Sequence, residues 1–341
     1  MMKKIKVFRE EIEVSDVERH IIESDTMQRI KHIDQSGPTR YFFPDIVPPF
    51  SRFDHSIGVW YLVKKFSKSK LECCAALLHD VSFPAFSHMT DYLIDSMEEE
   101  GIIDQNNCFQ DETHIDYLRK TEVCKLLSDK FGITIDDLIF ENKSYRCLEQ
   151  KWPDMCADRI DYNIQIALIM KKITLDQARE IINSLRFEND KWFFVDPIIA
   201  RNFAELSLYF TPNFWSSKFN STSNFHFAEA IRFAVKKKLL SENDLYLTDI
   251  ELLKKLEECK DDDVQIMLMQ SKNPEMKISK KGYYYKKFPI IVKFRGVNPL
   301  VLTESDKLKR LTEIDFLFKN YYEQTKELCE KSQEIDRLCK K

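Results

Sequence analysis

Glycine is scarce in this chain: six residues in 341. Folds that cradle phosphates in glycine-rich loops, the Rossmann and P-loop enzymes among them, need glycines that are not here. No run approaches the roughly 18 apolar residues of a membrane span. The opening MMKKIKVFREEIEV has lysines but no apolar core, so it does not read as a secretory signal. The nine cysteines are an odd number with no CxxC pair, which argues against a zinc knuckle and a disulfide framework. They read as small buried hydrophobes in a reducing cytoplasm. A net charge of −4 gives no global attraction to nucleic acid or anionic membranes, so any phosphate-binding surface must be local.

What is present is a soluble globular mixture, 43% hydrophobic and 32% charged, long enough for one large domain or two ordinary ones. Apolar residues at helical spacing predict a helix from about Asp16 to Ile33. SGPTRYFFPDIVPPF, with four prolines and a glycine, predicts a long loop. Helices are expected in SRFDHSIGVWYLVKKF, LECCAALLHD, ETHIDYLRKTEVCKLLSDKF and DMCADRIDYNIQIALIMKK, so residues 1–172 read as a helical bundle. Beyond them LRFENDKWFFVD reads as a β-hairpin. IARNFAELSLYF, FHFAEAIRFAVKKKLL and DIELLKKLEE read as helices, and KGYYYKKFPIIVKFRG, near 278–297, as a strand pair. The stretch from about Glu304 reads as a charged amphipathic helix, for packing or for contact with another copy. The expectation is a mainly α protein: a core of residues 1–172 and a mostly helical extension of residues 173–341 packed on it, with small β-hairpin additions in the N-terminal and C-terminal parts.

Four of the seven histidines, His55, His79, His88 and His114, fall within one stretch of sixty residues. His79 and Asp80 close an apolar run. Adjacent side chains diverge by about 100° in mid-helix. Val81, Ser82 and Pro84 break the helix here, and an imidazole and a carboxylate can then converge on one ion of the Mn, Fe, Mg or Zn kind. Alone, the pair reads sooner as a capped helix end than as a metal site. Its company changes the reading. RFDHSIG sets Arg52 and His55 near the start of a helix, and ADRIDYNIQ sets Asp158, Asp161 and Tyr162 at i, i+3 and i+4 on one helix face.

The order His55, His79-Asp80, Asp158 resembles the H…HD…D signature of the HD-domain metal-dependent phosphohydrolases. The flanks MQRIKHIDQSGPTRYFFP, RFDHSIGVWYLV, ALLHDVSFPAFSHM and DRIDY are most similar to its deoxynucleoside triphosphate triphosphohydrolase branch, from about Asp16 to Gln165. The resemblance implies an HD-domain helical bundle in which His55, His79, Asp80 and Asp158 ligate a divalent metal ion (Mn, Fe, Mg, Co or Zn). It implies that Arg52, Arg159 and Tyr162 contact phosphate and that Gln35 contacts the sugar. His88, Asp91 and His114 would line the reaction centre, with His88 as general acid or water-orienting group supported by Asp91. The implied function is metal-dependent hydrolysis of a nucleotide, a deoxynucleoside triphosphate or another, in a cytoplasmic homo-oligomer with no membrane partner. The chemistry is consistent from the residues upward: a metal acidifies water, histidines move protons near neutral pH, and arginines fix anionic substrates.

The departures concern substrate. Ser82 and Phe83 stand where the branch carries a glycine and a histidine, and Ile166 stands where its sugar-contacting acid falls. NFWSSKFNS supplies Lys218 for the later phosphate motif, without the histidine. A changed substrate, or a catalytically idle module that senses a nucleotide or acts as a scaffold, is the alternative. Other partners also remain open: Asp54 or Asp45 for Arg52, Arg29 for Asp161, a core position for Tyr162, a helix-capping environment for His114. His20, His32 and His226 read as ordinary helix residues. KKGYYYKKF interleaves lysine with aromatics, as single-strand nucleic-acid binders do; the preferred reading is an edge strand guarded by its lysines, so nucleic acid is not an expected partner.

Overall fold

A computed structural model describes residues 4–89, 103–104, 109–139, 145–331 and 333–340. Its mainly α architecture begins with a hairpin of β1 (Lys4–Val7) and β2 (Glu10–Glu13), turned by Phe8 and Arg9 in the left-handed region. The single helix expected over Asp16–Ile33 is instead α1 (Asp16–Glu23), α2 (Asp25–Arg29) and a 3-10 turn at Ile30–His32. Ser24 is the reason: its backbone is extended, and its hydroxyl accepts from the Met27 N–H and donates to the Ile21 carbonyl, ending one helix while capping the next. The proline-rich loop contains one short helix, α3 (Thr39–Phe42).

Helix α4 (Arg52–Phe66), capped by Ser51, is apolar on nearly every side, and Val59 to Val63 have no exposure. Such a helix must be central. It lies between α5 (Lys70–Leu78) and the later α8 (Ala157–Ile169), and α1 is tied to it by the buried Glu18 carboxylate, which accepts from Trp60 Nε1 (2.9 Å) and Lys64 Nζ (2.5 Å). Between α5 and α8 the chain forms β3 (Ile103–Asp104), α6 (Phe109–Arg119) and α7 (Glu122–Phe131). The one helix expected from Glu112 to Phe131 is therefore two, parted at Lys120–Thr121.

After α9 (Leu175–Ser184) the expected hairpin is present as β4 (Leu185–Glu188) and β5 (Lys191–Phe194), with Asn189 and Asp190 both left-handed in the turn. Next come α10 (Pro197–Phe210), α11 (Lys218–Lys236), α12 (Asp249–Glu258) and α13 (Asp262–Lys272). Helices α11 and α13 cross closely at Ser223 and Ser271, each hydroxyl donating to the other's carbonyl at 2.8 Å. The strand pair expected in KGYYYKKFPIIVKFRG is one long strand, β6 (Tyr283–Ile291). Then follow β7 (Leu300–Leu302), β8 (Leu308–Arg310), α14 (Leu311–Ile314), α15 (Phe316–Glu330) and β9 (Gln333–Lys340). The antiparallel partner of β6 is β9, so the stretch from Glu304 is strand, helix and strand rather than one helix. Alternation marks a strand but not its partner, and here the partner lies more than forty residues on. Among the described residues no helix is long and apolar enough to cross a membrane, and the described cysteines are all free.

Candidate metal centre

Three helix ends converge. His55 sits on the first turn of α4, His79 caps the C-terminus of α5 with Asp80 directly after it, and Asp158 lies on the first turn of α8. His55 Nε2 is 2.8 Å from Asp158 Oδ1, 3.4 Å from His79 Nε2 and 3.8 Å from Asp80 Oδ2. His79 Nε2 is 3.4 Å from Asp80 Oδ1 and 4.0 Å from Asp158 Oδ1. His55, His79 and Asp158 form a group with ligand atoms close enough for one ion, and Asp80 borders it.

The far side of each imidazole decides whether a cation fits. His79 Nδ1 meets the Ala76 carbonyl at 2.8 Å; a carbonyl only accepts, so that nitrogen carries the proton. His55 Nδ1 donates to Asp161 Oδ2 at 2.8 Å. Both Nε2 atoms then face the same space beside two carboxylates, an arrangement that calls for a positive charge, whether a proton on His55 or a metal ion. The electrostatics agree. Burial opposes charge on His55, yet hydrogen bonds to Asp158 and Asp161 and the charge of Asp80 raise its pKa to about 10. Against burial, His55 and His79 hold Asp158 well below the usual carboxylate range. Asp80 is also held down, against burial, by His79, Arg52 and His55. The donor set suits a divalent metal with mixed nitrogen and oxygen ligands.

Asp161 is the orienter, not the partner of Arg29. Arg29 instead donates to the carbonyls of Val81 (2.8 Å), Phe83 (2.6 Å) and Tyr246 (3.3 Å). Asp161 fits against α4 because residue 58 is glycine: a Cβ there would overlap Asp161 Oδ1.

Arg52 is buried and pairs with neither Asp54 nor Asp45. It donates through Nε to Ser87 Oγ (3.0 Å), through Nη1 to Asp80 Oδ2 (2.9 Å) and through Nη2 toward His88 Nε2 (3.1 Å). The Phe83 ring covers its guanidinium with a centroid 3.5 Å away and meets the His88 ring at 5.1 Å. The loop carrying His88 is bent by Phe86 and Ser87, both left-handed. Asp249, at the start of α12, holds that bend by accepting from Phe86 N (2.6 Å), Asp34 N (2.8 Å) and Tyr41 Oη (3.0 Å). His114, within α6 rather than at a cap, is buried with Nδ1 2.7 Å from Ser82 Oγ. Burial, and then the charge of His79, lower its pKa to about 4, so it is neutral at physiological pH.

The other residues expected to contact substrate have protein neighbours of their own. Arg159 turns away from the cluster, donating to Glu149 Oε1 (2.8 Å) and the carbonyls of Gln150 (2.6 Å) and Asp154 (2.9 Å). Its guanidinium also meets Cys156 Sγ at 3.3 Å, so it is bonded to two members of a second group with metal-ligand spacing, Glu149, Cys156 and Asp158. Tyr162 is half-buried, its ring 6.4 Å from His55 and 5.4 Å from Trp215. Gln35 donates its backbone N–H to the Phe50 carbonyl, and its buried Nε2 has no partner among the described residues. Lys218 is exposed at the start of α11. Asp91 lies outside the described residues. His20 and His226 bond carbonyls of their own helices. Reasoning from sequence missed Asp161 as the partner of His55, Ser82 as the partner of His114, and Asp249. Only the i, i+3 spacing of Asp158 and Asp161 could have signalled the first.

No family model matches the chain. It is 29% identical over 298 residues, 87% of each chain, to the uncharacterized protein YdhJ of Bacillus subtilis (strain 168). It is 30% identical over 181 residues to the metal-dependent phosphohydrolase cns2 of Cordyceps militaris, a match covering 53% of this chain and 49% of that one. A shorter match, 35% over 106 residues, is to the deoxynucleoside triphosphate triphosphohydrolase SAMHD1 of Danio rerio, spanning 26% of this chain and 17% of that one. A solved phosphohydrolase from Bacteroides thetaiotaomicron superposes with a TM-score of 0.70 at 15% identity, over 99% of both chains. A hypothetical protein from Aquifex aeolicus does so with 0.67 at 18% identity, over 99% of this chain and 96% of that one. At such identity the structural likeness is one of fold. The two relatives named as phosphohydrolases are each matched over about half of their length or less, and they do not single out the triphosphohydrolase branch.

Proposed function

We propose that this chain is a metal-dependent phosphohydrolase acting on a nucleotide or a related phosphate ester, with a divalent cation held by His55, His79, Asp80 and Asp158. The observation that carries the reading is the pair of Nε2 atoms 3.4 Å apart, each imidazole anchored from behind at Nδ1. A divalent cation held there supplies Lewis acidity and a low-pKa water. The protein's own groups do the rest. Arg52 orients Asp80 from one side and His88 from the other, so the ligand and the proton-transfer candidate share one rigid support. His88, half-buried at the edge of the cluster, accepts from Arg52 at Nε2, so the proton it holds or delivers is the one on Nδ1. His114 stays neutral and lends its hydrogen bond to Ser82, fixing the turn that follows Asp80.

The test is elemental analysis followed by a nucleotide and phosphate-ester panel with Mn, Mg, Fe or Co. The wild type is expected to hold a divalent metal and to release phosphate, pyrophosphate or triphosphate from some member of the panel. His79→Ala and Asp80→Ala are expected to reduce both to background. Turnover that survives both substitutions ends this reading.

A second reading, a nucleotide sensor without turnover, is favoured by Phe83, whose ring lies over the Arg52 guanidinium. A compound from the panel that raises the melting temperature but is never hydrolysed selects it.

A further inference from the structure

Phosphate binding needs a guanidinium with hydrogen bonds to spare, and neither arginine marked by the motifs offers a whole one. Arg52 is spent on Ser87, Asp80 and His88, and Arg159 on Glu149 and two carbonyls. The loop between β6 and β7 brings a third. Trp152 Nε1 donates to the Gly296 carbonyl (2.9 Å), Asn298 N to the Pro153 carbonyl (3.4 Å), and Ser216 Oγ to the Lys293 carbonyl (3.0 Å). The loop is thus pinned on one side to the approach to α8 and on the other to Trp215–Ser216. Tyr162 lies between these two anchors, with its ring against Trp215.

Arg295 sits in that loop, half-buried, with no hydrogen bond or ion pair to any described residue. Burial pushes the Tyr162 phenol up, and Arg295 is the foremost charge acting on it, ahead of Asp158 and Arg159. The loop that carries this uncommitted guanidinium is bonded at Lys293 to Ser216, next to the Trp215 ring that Tyr162 packs against, and the Tyr162 ring is 6.4 Å from His55. A planar fork of N–H donors at the edge of a metal cluster suits the oxygens of a phosphoryl group.

We propose that Arg295, with the Tyr162 hydroxyl, forms the phosphate-binding subsite of this centre. The proposal rests on the phosphate-ester reading given above, but it can be tested apart from turnover. Inorganic phosphate is titrated calorimetrically into metal-loaded full-length wild type, Arg295→Ala, Arg295→Gln and Arg295→Lys, with metal content measured for each. The wild type is expected to bind phosphate. The Ala and Gln variants should bind it roughly 10- to 100-fold more weakly, as fits the loss of charge-assisted hydrogen bonds, and Lys should recover part of the loss. Metal content should be unchanged throughout, because Arg295 holds no ligand in place. On any hydrolysed substrate the loss should fall on KM more than on kcat. Wild-type affinity in the Ala or Gln variant overturns the proposal, as does a wild type that binds no phosphate. If no substrate is hydrolysed yet phosphate binding needs Arg295, the hydrolase reading fails and the subsite stands. If turnover is present and unaffected by Arg295→Ala, the subsite fails and the hydrolase reading stands.

Discussion

Gly58→Ala is expected to strip the centre of metal and to lower the melting temperature, although alanine in a helix interior ordinarily stabilises by about 1 kcal/mol. The sign reverses because the added Cβ would overlap Asp161 Oδ1. Asp161 cannot step aside cheaply: it is fully buried, on a short side chain, with Oδ2 bonded to His55 Nδ1. Either α4 and α8 move apart, or the carboxylate rotates and releases the imidazole. Overpacking of this kind costs about 1–3 kcal/mol. Losing the group that orients a metal-binding histidine lowers metal affinity by roughly 10- to 100-fold. The double variant Gly58→Ala with Asp161→Ala separates the two effects. Removing the carboxylate makes room for the methyl group, so the melting temperature should recover relative to Gly58→Ala alone, while metal affinity stays low. A Gly58→Ala protein with full metal content and unchanged melting would show that Asp161 is not the support described here.

Asp249→Ala is expected to be the most destabilising substitution outside the cluster, at about 3–5 kcal/mol, since it leaves buried donors without an acceptor. Those donors are the N–H groups of Phe86 and Asp34 and the Tyr41 hydroxyl. The bend at Phe86–Ser87 loses its main-chain anchor, so the loss of order should centre on the loop leading to His88. Amide exchange at Phe86, compared with an amide in the core of α4, reads this directly. Exchange that rises no more at Phe86 than in α4 would reduce Asp249 to a general core residue. Asp249 also predicts a pH dependence. Burial raises its pKa from 3.8 to about 7, against the hydrogen bonds it accepts. A carboxyl with a raised folded-state pKa binds more protons folded than unfolded, so the contribution of Asp249 to stability should rise as pH falls from about 7 toward 4. His114 and His226, held neutral by burial, act the opposite way. Asp249→Asn should remove that contribution and leave those of Asp34 and Asp161, which burial also raises, each to about 6. A melting temperature that depends on pH identically in both proteins counts against the assignment.

Local signals carried much of the helical framework. DIELLKKLEE is α12 residue for residue, opened by a Thr248–Glu251 capping box, and ENDK between apolar flanks is the turn of the β4–β5 hairpin. The residues that converge at the centre were legible because their types and order are constrained by what they would hold. What was not legible is who faces whom across elements. The i, i+3 spacing put Asp158 and Asp161 on one face, but that His55 lies opposite both depends on the approach of α4 to α8 that Gly58 permits. The partners of Arg159, Glu149 and the carbonyls of Gln150 and Asp154, were not legible for the same reason. Asp249 carries no motif, and only the packing of the C-terminal half brings it against Asp34, Tyr41 and Phe86. The pairing of β6 with β9 was beyond reach because β9, QEIDRLCK, has too polar a pattern to announce a strand.

The Arg29 guanidinium, which joins the carbonyls of Val81, Phe83 and Tyr246, sets an order of assembly. One of its acceptors and the Asp249 clamp belong to a segment synthesised about 90 residues after Asp158, the last of the proposed ligands. A nascent chain that has just released α8 has all four proposed ligands but lacks the frame that bends the His88 loop. Contacts of such long range form late, after the entropy of closing the intervening chain has been met. Metal capture at full affinity is then a late event in folding rather than its nucleus. Ribosome-stalled chains should gain tight metal binding only when stalled well beyond Asp249; uptake at full affinity by chains ending near residue 200 would reverse that order.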